Sequence, residues 1–145
     1  MMYENPWLYD EKVFTSDNIS DYYGFCYRIT NLDNGKQYIG RKYFYSTRKK
    51  KGIKKRIKTE SDWMDYYGSS KSLKEVILES TKDNFSREIL SLHKTKGQVN
   101  YTETKLLFQH DVLEALNDKG ERLYYNEQIM NRYFAANISP SKIIK

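Results

Sequence analysis

The amino-acid sequence predicts an α+β protein whose elements follow one another in the order β-β-α-β-α. Three observations predict this class. Two aromatic-rich, strand-like segments flank an Asn-Gly turn, apolar residues then recur at helical spacing behind a capping signal, and a further strand-like segment precedes a longer helical one. The chain has 145 residues, which is enough for one domain with its own core.

The first two predicted strands form a β-hairpin. Residues 22–30 (YYGFCYRIT) are rich in aromatic side chains, and residues 36–40 (KQYIG) resume a strand-like pattern. Between them, residues 31–35 (NLDNG) end in Asn-Gly, a strong turn signal. Residues 1–21 hold five acidic residues, one lysine and no sustained period, so we expect an arm packed against the domain.

The first helix is predicted around residues 72–80 (SLKEVILES). Leu73, Val76 and Ile77 fall at helical spacing, and Ser72 with Glu75 fits a capping box. The serines of the preceding segment, SDWMDYYGSS, are further candidates for the cap.

The last two elements are a strand and a long helix. Residues 84–93 (NFSREILSLH) predict the third strand, because both of its flanks are turn-like. The second helix is predicted from near Asn100 through ETKLLFQHDVLEAL, until NDKG at 117–120 ends it. We therefore expect an N-terminal arm over 1–21, one domain over 22–130 and a C-terminal tail over 131–145.

The charge distribution indicates an anionic polymer as the partner. The formal net charge is +6, but residues 41–58 hold ten Lys or Arg and no acid, which leaves 15 basic against 19 acidic residues elsewhere. Clustered cations release the counterions that condense on a phosphate backbone, so nucleic acid is the expected partner. The alternative is a solvated loop, although interleaved aromatic side chains favour a surface that also stacks on bases. The candidate nucleic-acid-binding residues are Arg41, Lys42, Lys49, Lys50, Lys51, Lys54, Lys55 and Arg56.

Other classes of protein are disfavoured by composition. No segment approaches the roughly 20 apolar residues of a membrane span, and the first residues lack the pattern of a signal peptide, so we expect no membrane partner and a cytoplasmic location. Cys26 is the only cysteine, which excludes an intramolecular disulfide and cysteine-rich zinc sites.

Two short motifs in the hairpin carry a resemblance to a known family. Phe25-Cys26-Tyr27 is followed after ten residues by Tyr38-Ile39-Gly40, within the frame GFCYRITNLDNGKQYIGRK. This arrangement resembles the paired motifs of the GIY-YIG endonuclease superfamily, although Phe25 and Cys26 replace the usual Gly and Ile. The segments SDWMDYYGSS, DNFSREIL and YTETKLLFQHDVL resemble a phage-borne, homing-endonuclease-like branch, so the resemblance covers roughly residues 22–130.

The resemblance implies a fold and a chemistry. The fold is a small three-stranded antiparallel sheet flanked by helices, and the chemistry is hydrolysis of a phosphodiester bond with one Mg²⁺ or Mn²⁺ ion per site. By motif position, one tyrosine helps to activate water, the other tyrosine and an arginine hold the scissile phosphate, a glutamate binds the ion and an asparagine supports the site. These residues are Tyr27, Tyr38, Arg48, Glu103 and Asn126, with Arg41, Lys42 or Arg56 as alternatives for the arginine role.

The tyrosines have an alternative explanation as cross-strand packing. If the register pairs Tyr27 directly with Tyr38, their Cβ atoms lie about 5 Å apart and both hydroxyls can reach one phosphate. A one-residue slip would separate them. A tyrosine with a pKa near 10 is a poor base, so its role requires nearby cations or a metal-bound water, and the basic segment could supply the cations.

Glu103 also has two interpretations. As a residue of the first helical turn, it fits a capping pattern with Asn100 and suits the helix dipole. As a neighbour of Leu106 and Leu107 on the helix face that packs on the sheet, it needs a partner, and Mg²⁺ bound by one carboxylate plus substrate oxygens would be one.

The sequence therefore predicts a Mg²⁺-dependent DNA endonuclease. The alternative is a catalytically inactive nucleic-acid-binding module on the same fold. The sequence does not distinguish DNA from RNA as the substrate, or a monomer from a dimer.

Overall fold

The computed structural model describes residues 3–49, 52 and 56–144. Over these residues the strands are Leu8–Tyr9 (β1), Lys12–Val13 (β2), Gly24–Asn31 (β3), Gln37–Tyr43 (β4), Tyr45–Lys49 (β5), Arg56–Glu60 (β6), Phe85–His93 (β7), Gln128–Ile129 (β8) and Tyr133–Phe134 (β9). The helices are Lys71–Glu79 (α1) and Lys96–Gln109 (α2), and short 3-10 turns lie between some of these elements.

The main sheet has five strands in the order β2-β1-β7-β3-β4. The prediction of an α+β fold is confirmed. The prediction of a three-stranded antiparallel sheet is wrong, because β7, β3 and β4 are antiparallel but β1 joins them parallel to β7, which makes the sheet larger and mixed. The extra strands come from the N-terminal arm, where each has only two residues and so leaves no detectable period in the sequence.

The arm is fastened to the sheet by buried side chains. Trp7 is fully buried, and its Nε1 donates to the carbonyl oxygen of Trp63 at 2.7 Å. Arg87, buried on β7, donates from Nε to the carbonyl oxygen of Asn5 at 3.0 Å and from Nη1 to that of Tyr66 at 2.9 Å. One guanidinium therefore ties the arm to the loop that precedes α1.

Both helices begin at residues other than the predicted ones. Ser70, one of the serines predicted as further capping candidates, caps α1 in place of Ser72, and its Oγ accepts from the Leu73 amide at 3.3 Å. Thr95 caps α2 by accepting from the Gln98 amide at 3.2 Å, so the helix starts at Lys96 instead of near Asn100 and ends at Gln109. As a result, Glu103 lies in the middle of α2 and not in its first turn.

Residues 45–49, within the basic segment, and 56–60, at its end, form a two-stranded antiparallel sheet of their own. Strands β5 and β6 pair from Tyr45 with Glu60 to Lys49 with Arg56. We call this unit the basic ribbon. Lysine has a low strand propensity, so the residue pattern contains little indication of strands here.

Two apolar clusters cover the two faces of the main sheet and account for much of the aromatic content. The larger cluster contains aromatic side chains from the arm, β3 and the segment after β4; among its members are Trp7, Phe14, Phe25, Phe44, Trp63 and Phe85. The smaller cluster joins β4 to α2 and the chain after it; among its members are Ile39, Leu107, Val112 and Tyr124. Within the described residues, no helix is long and apolar enough to cross a membrane.

Candidate active site

The outer edge of β4 forms one wall of a cleft of about 370 Å³. Four of the five predicted catalytic residues line it: Tyr27, Tyr38, Glu103 and Asn126. The cleft also contains Arg41, one of the predicted alternatives for the phosphate-holding cation. Residues that are up to 99 positions apart in the sequence are thus gathered at one edge of the sheet.

The two motif tyrosines lie on the same face of the sheet but are not directly paired. Tyr27 is opposite Gly40, and Tyr38 is opposite Ile29. The condition of direct pairing is therefore not met, but the offset is two residues and not one, which leaves both side chains on one face. Their ring centroids are 6.2 Å apart.

Gly40 provides the space that the Tyr27 side chain occupies. A Cβ atom at this position would lie 2.5 Å from Tyr27 Oη and 2.7 Å from Cζ. The Tyr27 ring therefore lies across the backbone of β4, and its hydroxyl reaches the cleft at the sheet edge. Any side chain at residue 40 would displace it.

We expect the Gly40→Ala variant to lose both stability and any activity that depends on Tyr27. Tyr27 is 1% exposed and packs edge-on against Trp7 at 5.0 Å, so it has little room to move away from the added methyl group. Overpacking of this kind typically costs about 1–3 kcal/mol of unfolding free energy, which urea denaturation measures. Gly97→Ala is the matched control, because a Cβ atom there meets nothing within 4 Å. Equal unfolding midpoints for the two variants would contradict the steric argument.

Burial controls the protonation of the two tyrosines. Desolvation raises the Tyr27 pKa well above its ordinary value, and the neighbouring Tyr38, Tyr66 and Glu103 raise it further. Burial also raises the pKa of Tyr38, against a hydrogen bond from Ser69 that lowers it. Both side chains are therefore neutral phenols at neutral pH. The expected help from cations of the basic segment stays a prediction, because most of its side chains lie outside what the structure describes.

Glu103 projects from the middle of α2 towards β4. Its Oε1 lies 3.3 Å from Arg41 Nε. Burial raises the pKa of Glu103, and the adjacent Arg41 opposes that shift. Asn100, the partner in the capping alternative, instead accepts a hydrogen bond from Tyr43 Oη at 2.6 Å. Capping by Thr95 leaves Glu103 free for another role.

The donor set around Glu103 fits an ion that needs few protein ligands. Among the described residues, no three His, Cys, Asp or Glu side chains cluster in a way that could hold a metal. A single carboxylate is nevertheless enough for Mg²⁺, which keeps several waters and takes substrate phosphate oxygens as further ligands. A partly buried carboxylate in a polar cleft meets that requirement.

Asn126 supports the wall of the cleft. Its Oδ1 accepts from the Ile39 amide at 3.1 Å, and its Nδ2 donates to the Ile39 carbonyl at 2.8 Å. The side chain thus continues the pairing of the outer edge of β4 with the chain at 123–126, where the Gln37 amide donates to the Leu123 carbonyl and the Tyr125 amide donates to the Gln37 carbonyl. Asn126 is buried, and its two hydrogen bonds hold it against the wall of the cleft.

The remaining predicted residues occupy several places. Lys42 lies 2.7 Å from Asp62 Oδ1, and its Nζ is 4.0 Å from the centre of the Tyr66 ring. The backbones of Arg48, Lys49 and Arg56 are in the basic ribbon, and their side chains are not described. Four further predicted residues fall outside the described residues: Lys50, Lys51, Lys54 and Lys55.

The loop before α1 contributes residues that the sequence prediction missed. Tyr66 lies edge-on to Tyr27, with ring centroids 6.1 Å apart, and Ser69 Oγ is 3.1 Å from Tyr38 Oη. Gly68 has φ +90°, and a Cβ atom there would lie 3.1 Å from the Tyr38 ring. The available signal is the segment YYGSS, whose serines are predicted as capping candidates and which belongs to one of the segments that carry the family resemblance.

Comparison with known proteins gives two matches. The family model described as "Putative endonuclease segE, GIY-YIG domain" matches residues 7–129. The chain is also 35% identical over 105 residues to "Putative endonuclease segE" of Enterobacteria phage T4, over 72% of this chain and 40% of that protein. The chain therefore spans about two fifths of the length of this curated relative. No solved structure matches this chain.

Proposed function

The chain belongs to the phage-borne SegE family of GIY-YIG endonucleases, and from this premise we propose that it hydrolyses phosphodiester bonds in DNA with a divalent cation. The observation that carries the proposal is the convergence of Tyr27, Tyr38 and Glu103 with Arg41 in one cleft at the edge of β4. Hydrolysis of a phosphodiester needs a positioned water and groups that bind the non-bridging phosphate oxygens. It also needs a positive charge that neutralises the negative charge on those oxygens in the transition state. The cleft offers at least one residue for each of these requirements.

The proposed roles follow from the position and charge of each side chain. Tyr27 Oη binds and orients the attacking water as a neutral phenol, and Tyr38 Oη, next to Ser69, binds a phosphate oxygen. Glu103 would hold the cation, with Mg²⁺ or Mn²⁺ as the candidates. A bound ion of this type supplies Lewis-acid polarisation of the phosphate and neutralises charge. Asn126 keeps the edge of β4 in place beside these groups.

We propose that Arg41 takes the role of the phosphate-holding arginine. It lies in the cleft beside Glu103, whereas the spacing that favoured Arg48 leads to the basic ribbon. A guanidinium matches the geometry of phosphate oxygens and keeps its charge at any relevant pH.

We expect Arg41→Ala to reduce the rate of cleavage by about 10²–10³ at saturating enzyme, as the loss of one transition-state donor typically does. Single-turnover cleavage measures this rate separately from binding. Arg48→Ala is the comparison variant. A slower reaction in Arg48→Ala together with a normal one in Arg41→Ala would return the role to Arg48.

The alternative function is a binding module that has lost cleavage. The sequence observation in its favour is the replacement of the first two motif residues by Phe25 and Cys26. Both are fully buried: Phe25 packs among aromatic rings, and Cys26 Sγ lies 3.5 Å from the Val99 carbonyl oxygen. Neither lines the cleft, so their replacement leaves the residues proposed for cleavage in place and does not itself favour the inactive module.

Incubation with supercoiled plasmid DNA tests the proposed function. We expect nicked or linear DNA in Mg²⁺ or Mn²⁺ and intact DNA when EDTA is present. Plasmid that is shifted in a gel but not cut in either condition would support the binding module.

The location and the domain division are further proposals. We propose a cytoplasmic location, and a division into an arm (1–21), a nuclease domain (22–130) and a tail (131–145).

We expect the lysines of the basic segment to govern affinity rather than chemistry. Each phosphate contact contributes roughly −0.9 to the slope of log affinity against log salt, so replacement of Lys49, Lys50 and Lys51 by alanine should lower the magnitude of the slope by up to about 2.7. Fluorescence anisotropy at several salt concentrations measures the slope, and cleavage at saturating enzyme should change little. An unchanged slope would mean that these lysines are solvated.

A further inference from the structure

We propose that the basic ribbon, β5 with β6, enters the major groove of duplex DNA beside the cleft. This proposal rests on the proposed function and specifies its substrate as B-form duplex DNA. The ribbon pairs with no other strand of the described part of the chain. An isolated two-stranded hairpin is only marginally stable in water, so a partner surface would complete it.

The base of the ribbon is fixed to the core, which allows it to present a rigid element. Phe44, between β4 and β5, is fully buried, and the Ser61 amide donates to its carbonyl oxygen at 2.8 Å. At the end of β6, Glu60 Oε2 accepts hydrogen bonds from Ser16 Oγ at 2.9 Å and Trp63 Nε1 at 3.2 Å. The ribbon therefore begins from a defined position relative to the sheet.

The dimensions of the ribbon match the major groove. A strand of five residues spans about 16 Å at the usual rise per residue. The major groove of B-DNA is about 12 Å wide and about 8.5 Å deep, and it admits a two-stranded ribbon. The ribbon is thus long enough to reach the base edges while its base stays outside the groove.

The chemistry of the ribbon also fits this partner. Its two strands contain four cations, Arg48, Lys49, Arg56 and Lys58, and one acid, Glu60, at the base. The chain outside residues 41–58 has a net charge of −4, so the cations of the ribbon give this part of the chain a charge complementary to DNA. Exposed hydroxyls stand between the charges: Ser46 Oγ and Thr59 Oγ1, on paired residues, are 3.3 Å apart. Hydroxyls bind base edges as donors or acceptors, and exposed Lys58 can reach flanking phosphates.

The ribbon lies close in sequence to the cleft. Arg41 lies in the cleft, and the ribbon begins at Tyr45, four residues further on, which is about 13 Å of extended chain. This separation is shorter than one turn of B-DNA, about 34 Å, so a phosphate in the cleft can belong to the turn whose groove the ribbon occupies. The A-form duplex of RNA has a deep and narrow major groove that excludes such a ribbon. The proposal accordingly selects DNA over RNA.

Methylation interference with the Glu103→Gln protein tests the proposal without requiring cleavage. Dimethyl sulfate marks guanine N7 in the major groove and adenine N3 in the minor groove. We expect N7 methylation beside the bound site to weaken binding at least fivefold, and N3 methylation to have little effect. Interference from adenine N3 alone, or equal affinity for duplex RNA and duplex DNA, would overturn the proposal.

Matched variants then assign the contact to the ribbon. The Ser46→Ala/Thr59→Ala double variant keeps the charge, and we expect it to weaken the interference at guanine N7. Lys58→Gln should lower the magnitude of the salt slope by about 0.9, while Lys119→Gln, at an exposed lysine in a distant loop, should not. Unchanged behaviour of both ribbon variants would overturn the assignment. If the wild-type chain does not cleave plasmid, the proposed nuclease function is contradicted. The binding results still test whether the ribbon contacts the major groove.

Discussion

The Tyr27→Phe variant is expected to cleave DNA about 10²–10³ times more slowly than the wild type, because it loses the hydroxyl that orients the attacking water, and the loss of one positioned hydrogen-bonding group typically costs that much. Its melting temperature should hardly change. The substitution removes only the hydroxyl that reaches the cleft past Gly40, and it keeps the ring that packs against Trp7 and Phe25. Single-turnover cleavage and thermal unfolding of the same preparation measure the two effects.

Tyr125→Phe is the matched control for this prediction. Tyr125 is also buried, but its hydroxyl accepts a hydrogen bond from Asn31 Nδ2 at 3.0 Å and it does not line the cleft. Its loss should cost about 1 kcal/mol of unfolding free energy and leave the cleavage rate unchanged. Wild-type cleavage in Tyr27→Phe would reduce Tyr27 to a packing residue.

The second large effect is expected from Glu103→Gln. The amide keeps the size of the side chain and an oxygen for Arg41, but it lacks the charge that a divalent ion needs. Metal-dependent cleavage should therefore be lost. Burial already raises the pKa of the carboxyl, so a neutral side chain is tolerated at this position and the protein should remain folded. DNA affinity measured without metal should persist.

A second ion pair on the sheet provides the control for Glu103→Gln. Glu88 on β7 pairs with Arg28 on β3 at 3.4 Å, outside the cleft. We expect Glu88→Gln to cleave normally in Mg²⁺. If Glu103→Gln also cleaves normally, the metal ligand lies elsewhere and Glu103 serves only to pair with Arg41.

Local signals explain which elements could be predicted from the sequence. The hairpin of β3 and β4 surrounds an Asn-Gly turn, and α1 combines a serine cap with apolar residues at helical spacing. The two-residue register offset between Tyr27 and Tyr38 could not be predicted, because both registers place the same side chains on the same face. The strands of the arm depend on pairing with β7, about 80 residues later, and no local pattern contains that information.

The candidate site was predicted where the family resemblance supplied positions. Tyr27, Tyr38, Glu103 and Asn126 lie in one cleft, and their chemical roles remain proposals. Arg41 was one of four basic candidates until its contact with Glu103 separated it from the others. Tyr66 and Ser69 reach the cleft because Arg87 and the arm hold their loop, a tertiary effect with no local signature.

The two short strands of the arm determine how the protein can be shortened. Because β1 covers the outer side of β7 at Glu88 and Ile89, a fragment that starts at residue 22 would turn β7 into an exposed edge. Unpaired amides and carbonyls on an edge strand are a template for pairing with another chain. Removal of Trp7 would also uncover the aromatic rings beneath it. We therefore expect the arm to shield the edge of β7 from pairing with another chain, and expression of residues 22–145 without it to favour aggregates.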